Sequence, residues 1–261
     1  MEIKGNDFDS VFRTVGKTIL DFGIETSPRG QKIKELINPT LTILNPLDCV
    51  LTDENRKLSE KYLKAEFDWY ASGLLSIEGI KDHSSMWERL LNPDGETVNS
   101  NYGFYTFYQP IESHDNQFEF CLDSLEKDED SRQALINFNQ PQHKFKDNKD
   151  FVCTISQQFM IRDNELITII NMRSCDLIYG AGYDIPWFAY VQYRMFERLK
   201  ETYPDLTLGR LEHNAGSLHV YERHFEMLRK LNIKSSETSK NLIYFLNNQL
   251  ENLNNLTEDL K

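Results

Sequence analysis

Two strand-like apolar runs, residues 151–161 and 165–173, are separated only by Arg162-Asp163-Asn164. That spacing predicts a hairpin, and it sets the frame for the rest of the chain. Helical patterns lie on both sides. In residues 6–22, Phe8, Val11, Phe12, Val15 and Ile19 recur at helical spacing. Residues 54–71 read as a second helix, with Leu58, Tyr62, Trp69 and Tyr70 toward a core. Further helices are expected at 116–127, 184–202 and 222–231, and strands at 133–138 and 206–221. Ser27-Pro28-Arg29-Gly30 is a break, followed by a β-rich stretch ending near Leu44. Residues 92–103 read as loop. From Ser235 onward, Leu242, Leu246, Leu250, Leu253, Leu256 and Leu260 give an amphipathic helical pattern. The expected organisation is one α/β domain over residues 1–234 and a helical tail over 235–261.

Charge and cysteine content narrow the function classes. The net charge is −12, which argues against an extended nucleic-acid footprint. It leaves room for one small anionic ligand held by a few arginines. Cys49, Cys121, Cys153 and Cys175 form no CxxC pair, so no metal site is expected. The N-terminus has no apolar signal core, and no apolar run approaches ~20 residues. The expectation is therefore a cytoplasmic chain with reduced thiols and no membrane segment.

Several residues look out of place. Glu66 shares a helical face with Tyr62 and Trp69, where a carboxylate is unusual. It is either a general acid/base with a pKa raised by burial or a helix-edge residue reaching water. Cys153 sits in the run Phe151-Val-Cys-Thr-Ile-Ser-Gln-Gln-Phe-Met160, where a small buried hydrophobe is the plain alternative to a nucleophile. Arg173 and Ser174 end an apolar strand, where an arginine and a hydroxyl could hold a phosphate. Asp184 stands at a predicted helix start and could be a simple N-cap. His219 and Tyr221 alternate on a strand and so could face one cleft.

Together these positions resemble the thymidylate synthase family. Cys153-Thr-Ile-Ser-Gln-Gln158-Phe159 resembles its nucleophile strand. Asn171-Met-Arg173-Ser174-Cys175-Asp176, then Gly180, resembles its phosphate and folate segment. Ser217-Leu-His219-Val-Tyr221, then His224, resembles its sugar-binding strand. Asp130-Ser131-Arg132 resembles a phosphate-binding turn donated by the partner subunit. Glu66-Phe-Asp-Trp69-Tyr70, Met86-Trp87-Glu88 and Asn101-Tyr102-Gly103 resemble cleft segments, and Arg29 sits where the family has a mobile phosphate-binding arginine. The likeness spans roughly residues 25–230 in consistent order and spacing. It implies a mixed β-sheet flanked by helices, and a homodimer formed through the sheet face. Cys153 and Gln158 are an odd number of residues apart, so a β-bulge must lie between them if both serve one nucleotide.

The resemblance also implies roles. Arg29, Arg173, Ser174 and the partner's Arg132 hold the 5′-phosphate, and His219 and Tyr221 bind the sugar, with Gln158 also on the nucleotide. Cys153 adds to C6, with its pKa lowered by the arginines. Glu66 and Tyr102 move protons. Trp87, Asp176 and Gly180 line the site of 5,10-methylenetetrahydrofolate. The dUMP-using members have Asn where this chain has Asp184; the phage-type dCMP hydroxymethylases have Asp. Thr154 after the cysteine, Asn99-Ser-Asn-Tyr102-Gly103 and Asn214-Ala-Gly-Ser-Leu-His219 agree with that branch. Two departures stand out: Gln133 replaces the second of two adjacent arginines, and the chain ends in an Asn-rich helical segment rather than a short apolar tail. The expected activity is hydroxymethylation of dCMP. Thymidylate synthesis from dUMP, a CMP hydroxymethylase and an inactive nucleotide-binding homologue are the alternatives.

Overall fold

The computed structural model describes residues 1–246. In chain order its elements are β1 (Glu2–Gly5), α1 (Phe8–Phe22), β2 (Ile24–Thr26), β3 (Ile33–Ile37), β4 (Thr40–Ile43), β5 (Asp48–Val50), α2 (Glu60–Ser72) and α3 (Met86–Leu90). Then come α4 (Gln117–Lys127), β6 (Leu135–Asn137), β7 (Thr154–Arg162), β8 (Glu165–Met172), β9 (Cys175–Asp176), α5 (Gly182–Leu199), β10 (Thr207–Ala215) and β11 (Ser217–Tyr221). Helix α6 (Phe225–Arg229), strand β12 (Lys240–Asn241) and helix α7 (Leu242–Leu246) complete the described chain.

The expected hairpin is β7–β8, paired antiparallel from Thr154↔Met172 to Arg162↔Glu165. Asp163 (φ 53°) and Asn164 (φ 62°) supply the two left-handed turn residues that a tight two-residue loop requires. The pair sits inside a six-stranded mixed sheet ordered β1-β4-β10-β8-β7-β6. Alternation is clear along β10 and the second half of β7: inward residues are fully covered and outward ones only half. One face therefore packs on the core and the other is left open.

The feature that makes the site is a break in this sheet. Three neighbouring strands pass from the six-stranded sheet into a second one, ordered β2-β3-β11-β9, and all cross at the same level. The chain bends at Asn38-Pro39 between β3 and β4, at Arg173-Ser174 between β8 and β9, and at Gly216 between β10 and β11. Backbone bonds lock the bends together: Gly216 N–H donates to Met172 O at 2.8 Å, Asn38 N–H to Gly216 O at 3.1 Å, and Arg173 N–H to Cys153 O at 2.9 Å. Gly216 is required there, since a Cβ would lie 2.7 Å from Arg173 O. The expected bulge is present on β7, where the register shifts between Thr154 and Ser156. Cys153, Arg173, Ser174 and Ser217 stand on that line.

The second helix starts at Glu60 rather than 54. Asp53 Oδ1 instead accepts from Asn55 N–H (2.9 Å) and Arg56 N–H (3.3 Å), closing a separate turn, and Ser59 caps the helix by accepting from Tyr62 N–H. The tail does not become helical at Ser235. Residues 235–239 are irregular, β12 pairs with β5, and a helix begins only at Leu242. Buried polar groups dictate this: Arg13 Nη2 donates to Glu237 O (2.7 Å), and Ser239 Oγ accepts from Asp9 N–H (2.8 Å). Those bonds hold the chain extended across α1. Leu250, Leu253, Leu256 and Leu260 lie outside the described residues.

Candidate active site

Glu66 is 5% exposed, on α2, inside an aromatic wall. Tyr62 O–H donates to its Oε1 at 2.9 Å, and Trp87 Nε1–H donates to the Tyr62 oxygen at 3.1 Å. Its Oε2 is buried with no partner. Burial, with the charge of Asp184 added, pushes the Glu66 carboxyl up to about 8. A carboxylic acid that keeps its proton at neutral pH and has one oxygen unused is suited to passing a proton. The helix-edge alternative is excluded by its burial.

Asp184 lies in the first turn of α5, three residues after the N-cap position, which Ala181 occupies. It is therefore not the N-cap. Burial and the neighbouring Asp176 raise it to about 7. Its Oδ2 sits against Gly180, where an added Cβ would be 3.3 Å from that oxygen and 3.3 Å from Cys175 Sγ. Asp176 Oδ1 accepts from Ile178 N–H at 2.8 Å and so shapes the π-helical turn Leu177–Ala181 that carries Gly180.

Cys153 precedes β7 and is half-buried, whereas Cys49, Cys121 and Cys175 are buried. Arg173 Nη2 donates to its Sγ at 3.3 Å, and the same guanidinium donates to Val152 O (3.2 Å) and Phe151 O and lies 4.8 Å over the Phe151 ring. Arg173 and Arg29 favour the thiolate, yet burial outweighs them and raises the thiol pKa above its usual value, with Asp184 and Asp150 adding to the rise. The expectation of a lowered pKa is thus corrected: the arginines act as foreseen, but desolvation is the larger effect. Tyr102 is buried beside Cys153, Asp184 and Thr154, and burial lifts its phenol well above the usual range. It is a proton-holding hydroxyl at neutral pH and cannot serve as a free phenolate base.

His219 and Tyr221 point to the same side of β11, with ring centroids 5.4 Å apart in an edge-on arrangement, and His219 Nδ1 is buried without a partner. Arg29 is exposed on the Pro28–Gly30 turn with φ 52°. Ser174 is half-buried beside Arg173 at the sheet break. Two expected members stand apart. Gln158 Nε2–H donates to Arg132 O at 3.0 Å, so both lie together at the middle of β7, roughly 15 Å along the strand from Cys153. The bulge restores the parity between Cys153 and Gln158, but within one chain Gln158 is committed to the Arg132 turn rather than to the thiol. Arg132 lines an open concavity of about 790 Å³ with Asp128, Asp130, Ser131, Gln133 and Arg162.

Three contributors were not foreseen. Tyr62 was assigned to the core, although Tyr at i and Glu at i+4 on one helical face is itself the signal of a hydrogen bond. Arg56, 9% exposed, donates to Ile178 O at 2.6 Å and so holds the Gly180 turn. Asp150, three residues before the cysteine, is 5% exposed and takes three hydrogen bonds. No helix of the described residues is long and apolar enough to cross a membrane.

A half-buried thiol on an arginine, a protonated glutamic acid and a second raised carboxylate at a sheet break define an enzyme of covalent and proton-transfer chemistry. The family model for thymidylate synthase matches residues 12–260, and the chain belongs to that family of folate-dependent pyrimidine C5 transferases. It is 34% identical over 180 residues to the deoxycytidylate 5-hydroxymethyltransferase of Enterobacteria phage T4, covering 66% of this chain and 71% of that one. It is 23% identical over 231 residues to the deoxyuridylate hydroxymethyltransferase of Bacillus phage SP01, covering 83% and 58%. Among solved structures, thermostable thymidylate synthase A from Bacillus subtilis superposes with a TM-score of 0.67 at 18% identity, covering 90% of this chain and 86% of that one.

Proposed function

We propose that this enzyme hydroxymethylates C5 of dCMP. The observation that carries the reading is Asp184, a carboxyl raised to about 7 beside Glu66 and within the field of Cys153. A carboxyl poised to share a proton can accept from the cytosine N4 amino group and give its proton to N3. N3 of cytosine is a basic ring nitrogen, whereas O4 of uracil is a far weaker base, so the shared proton favours cytosine. The relatedness to the T4 deoxycytidylate enzyme supports the same choice.

The residues then take these parts. Arg173, Ser174 and Arg29 hold the phosphate, aided by Arg132 and Gln158 from a partner subunit seated on the open sheet face. His219 and Tyr221 bind the sugar. The Cys153 thiol gives up its proton and its sulfur adds to C6, with Arg173 steadying the thiolate. Electron density moves to C5 as Asp184 supplies the proton at N3. Methylenetetrahydrofolate supplies the one-carbon unit received at C5. Trp87, Asp176 and Gly180 would hold it; the fit rests on the lack of a side chain at Gly180, which lets Asp184 Oδ2 lie against its backbone, and on the unpartnered Oε2 of Glu66. Tyr102 orients the water that removes the C5 proton, and Glu66 carries protons to and from ordered water. Loss of the C5 proton expels the folate amine and leaves an exocyclic methylene; water adds to that methylene, and the Cys153 thiolate departs from C6 as the C5–C6 double bond re-forms.

The deciding experiment offers dCMP, CMP and dUMP separately with methylenetetrahydrofolate and weighs the products. Gain of a hydroxymethyl group on dCMP without dihydrofolate is the expected result. A methyl product from dUMP with dihydrofolate would overturn it in favour of thymidylate synthesis. Preference for CMP would move the enzyme to ribonucleotides, and no product from any of the three would leave a nucleotide-binding homologue.

A pH prediction follows from Asp184. Its proton is present below about 7 and lost above. Affinity for dCMP is therefore full near pH 6 and falls by up to about tenfold per pH unit above 7. Calorimetric titration from pH 6 to 9 checks this, and a flat profile would remove Asp184 from base recognition.

A further inference from the structure

We propose that Asp150 is a positioning residue that fixes the Cys153 thiol relative to the Tyr102 phenol by tying together the two loops that carry them. This rests on the reading of Cys153 as nucleophile and Tyr102 as proton relay. Asp150 belongs to the loop that leads into β7. Its Oδ2 accepts from Asn99 N–H at 2.6 Å and Ser100 N–H at 2.8 Å, and its Oδ1 accepts from Ser100 O–H at 2.5 Å. The Asn99 amide returns a bond to Asp150 O at 2.9 Å. Four hydrogen bonds thus join the segment three residues before the thiol to the segment two residues before Tyr102. Beyond the knot, Asn101 anchors the second loop to α2 by donating to Trp69 O (2.8 Å) and Leu74 O (2.9 Å).

Three donors converge on the two oxygens of this one side chain, and only a carboxylate accepts on both; an amide would turn its NH2 group, which only donates, toward one of those donors. A buried carboxylate is costly unless fully bonded. Burial raises the Asp150 carboxyl despite its three bonds and Arg173. Its charge reaches both reacting groups, opposing ionisation of Cys153 and of Tyr102. The charged or titratable groups facing the thiol are Arg173 at the end of β8, Arg29 on its turn, Asp184 on α5, Asp150, Tyr102 and Cys175. Only Asp150 among the carboxylates lies on the thiol's own loop and also bonds the loop of Tyr102.

The test is Asp150→Asn in the full chain, read in two ways. The pH profile of Cys153 alkylation by iodoacetamide needs no substrate; with the negative charge removed it should move to lower pH. Steady-state kinetics with dCMP and methylenetetrahydrofolate should show kcat lowered at least tenfold and KM for the nucleotide within about threefold. An unshifted alkylation profile, or kcat within twofold of wild type, overturns the proposal, as does an equal loss in kcat and nucleotide affinity. If Asp150→Asn fails to fold, Ser100→Ala removes one bond and keeps the carboxylate. It should lower kcat several-fold with an unchanged alkylation profile, and unchanged kcat overturns the proposal. If the wild-type enzyme turns over none of the three nucleotides, the proposed function falls, and the Asp150→Asn alkylation profile still decides for or against Asp150.

Discussion

Cys153→Ser is expected to bind dCMP within a few-fold of wild type and to lose turnover by on the order of a thousandfold or more. Serine places an oxygen where the sulfur was, and Arg173 can donate to it as it does to Sγ at 3.3 Å. The loops therefore keep their shape, and the phosphate and sugar contacts are untouched. What is lost is the nucleophile. Even the native thiol is held above its ordinary pKa by burial, so its reactivity depends on Arg173 steadying the anion at the moment of attack. A serine hydroxyl is far harder to ionise in the same dry place. A thousandfold loss corresponds to about 4 kcal/mol of transition-state stabilisation. Equilibrium binding and single-turnover rates measured on one preparation separate the two effects. Near wild-type turnover would remove Cys153 from the chemistry, and loss of binding would show that the thiol serves the shape of the site.

Most of the elements could be read because their patterns are local. The spacing of Phe8, Val11, Phe12, Val15 and Ile19 gave α1, and the two residues between Arg162 and Glu165 gave the β7–β8 hairpin. The bulge near Thr154 was expected on the condition that Cys153 and Gln158, an odd number of residues apart, serve one nucleotide; it is present, although Gln158 is bonded within its own chain to the Arg132 turn. Helix α2 starts at Glu60 rather than 54 because Ser59 caps it, while Asp53 is drawn into a buried cluster with Arg13 and Asp9. The first residues of the tail depart from the expected helix because Glu237 and Ser239 are bonded to Arg13 and Asp9, more than 200 positions away. The direction of the Cys153 pKa also escaped the sequence, which shows the arginines but not how deeply the thiol is covered. Gln158 matched its motif, yet its partner within the chain is the Arg132 turn, a contact between segments 26 residues apart. In each case the missing information was a long-range contact or a degree of burial, neither of which is written in local spacing.

Asp184→Asn is expected to move the preference from dCMP toward dUMP, changing the ratio of their kcat/KM values by on the order of a hundredfold to a thousandfold. The argument concerns a proton. When sulfur adds to C6 of cytosine, electron density develops on N3, and a carboxyl held near 7 can place its proton there. An asparagine amide can offer a hydrogen bond to N3 but cannot transfer the proton, so cytosine loses its activation. With uracil the density develops on O4, and the amide can donate to O4 while accepting from N3–H. Each mispaired polar group in this dry pocket costs about 1–3 kcal/mol, and two of them account for the expected range. The substitution also removes the charge that helps to raise Glu66, so the Glu66 carboxyl should titrate below about 8 in the variant. The alkaline fall in nucleotide affinity above pH 7 should vanish with it. Competition between dCMP and dUMP in one vessel, read by mass of the products, measures the ratio directly. An unchanged ratio would mean that the base is read by other groups, and that the carboxylate of Asp184 serves only to hold the proton of Glu66.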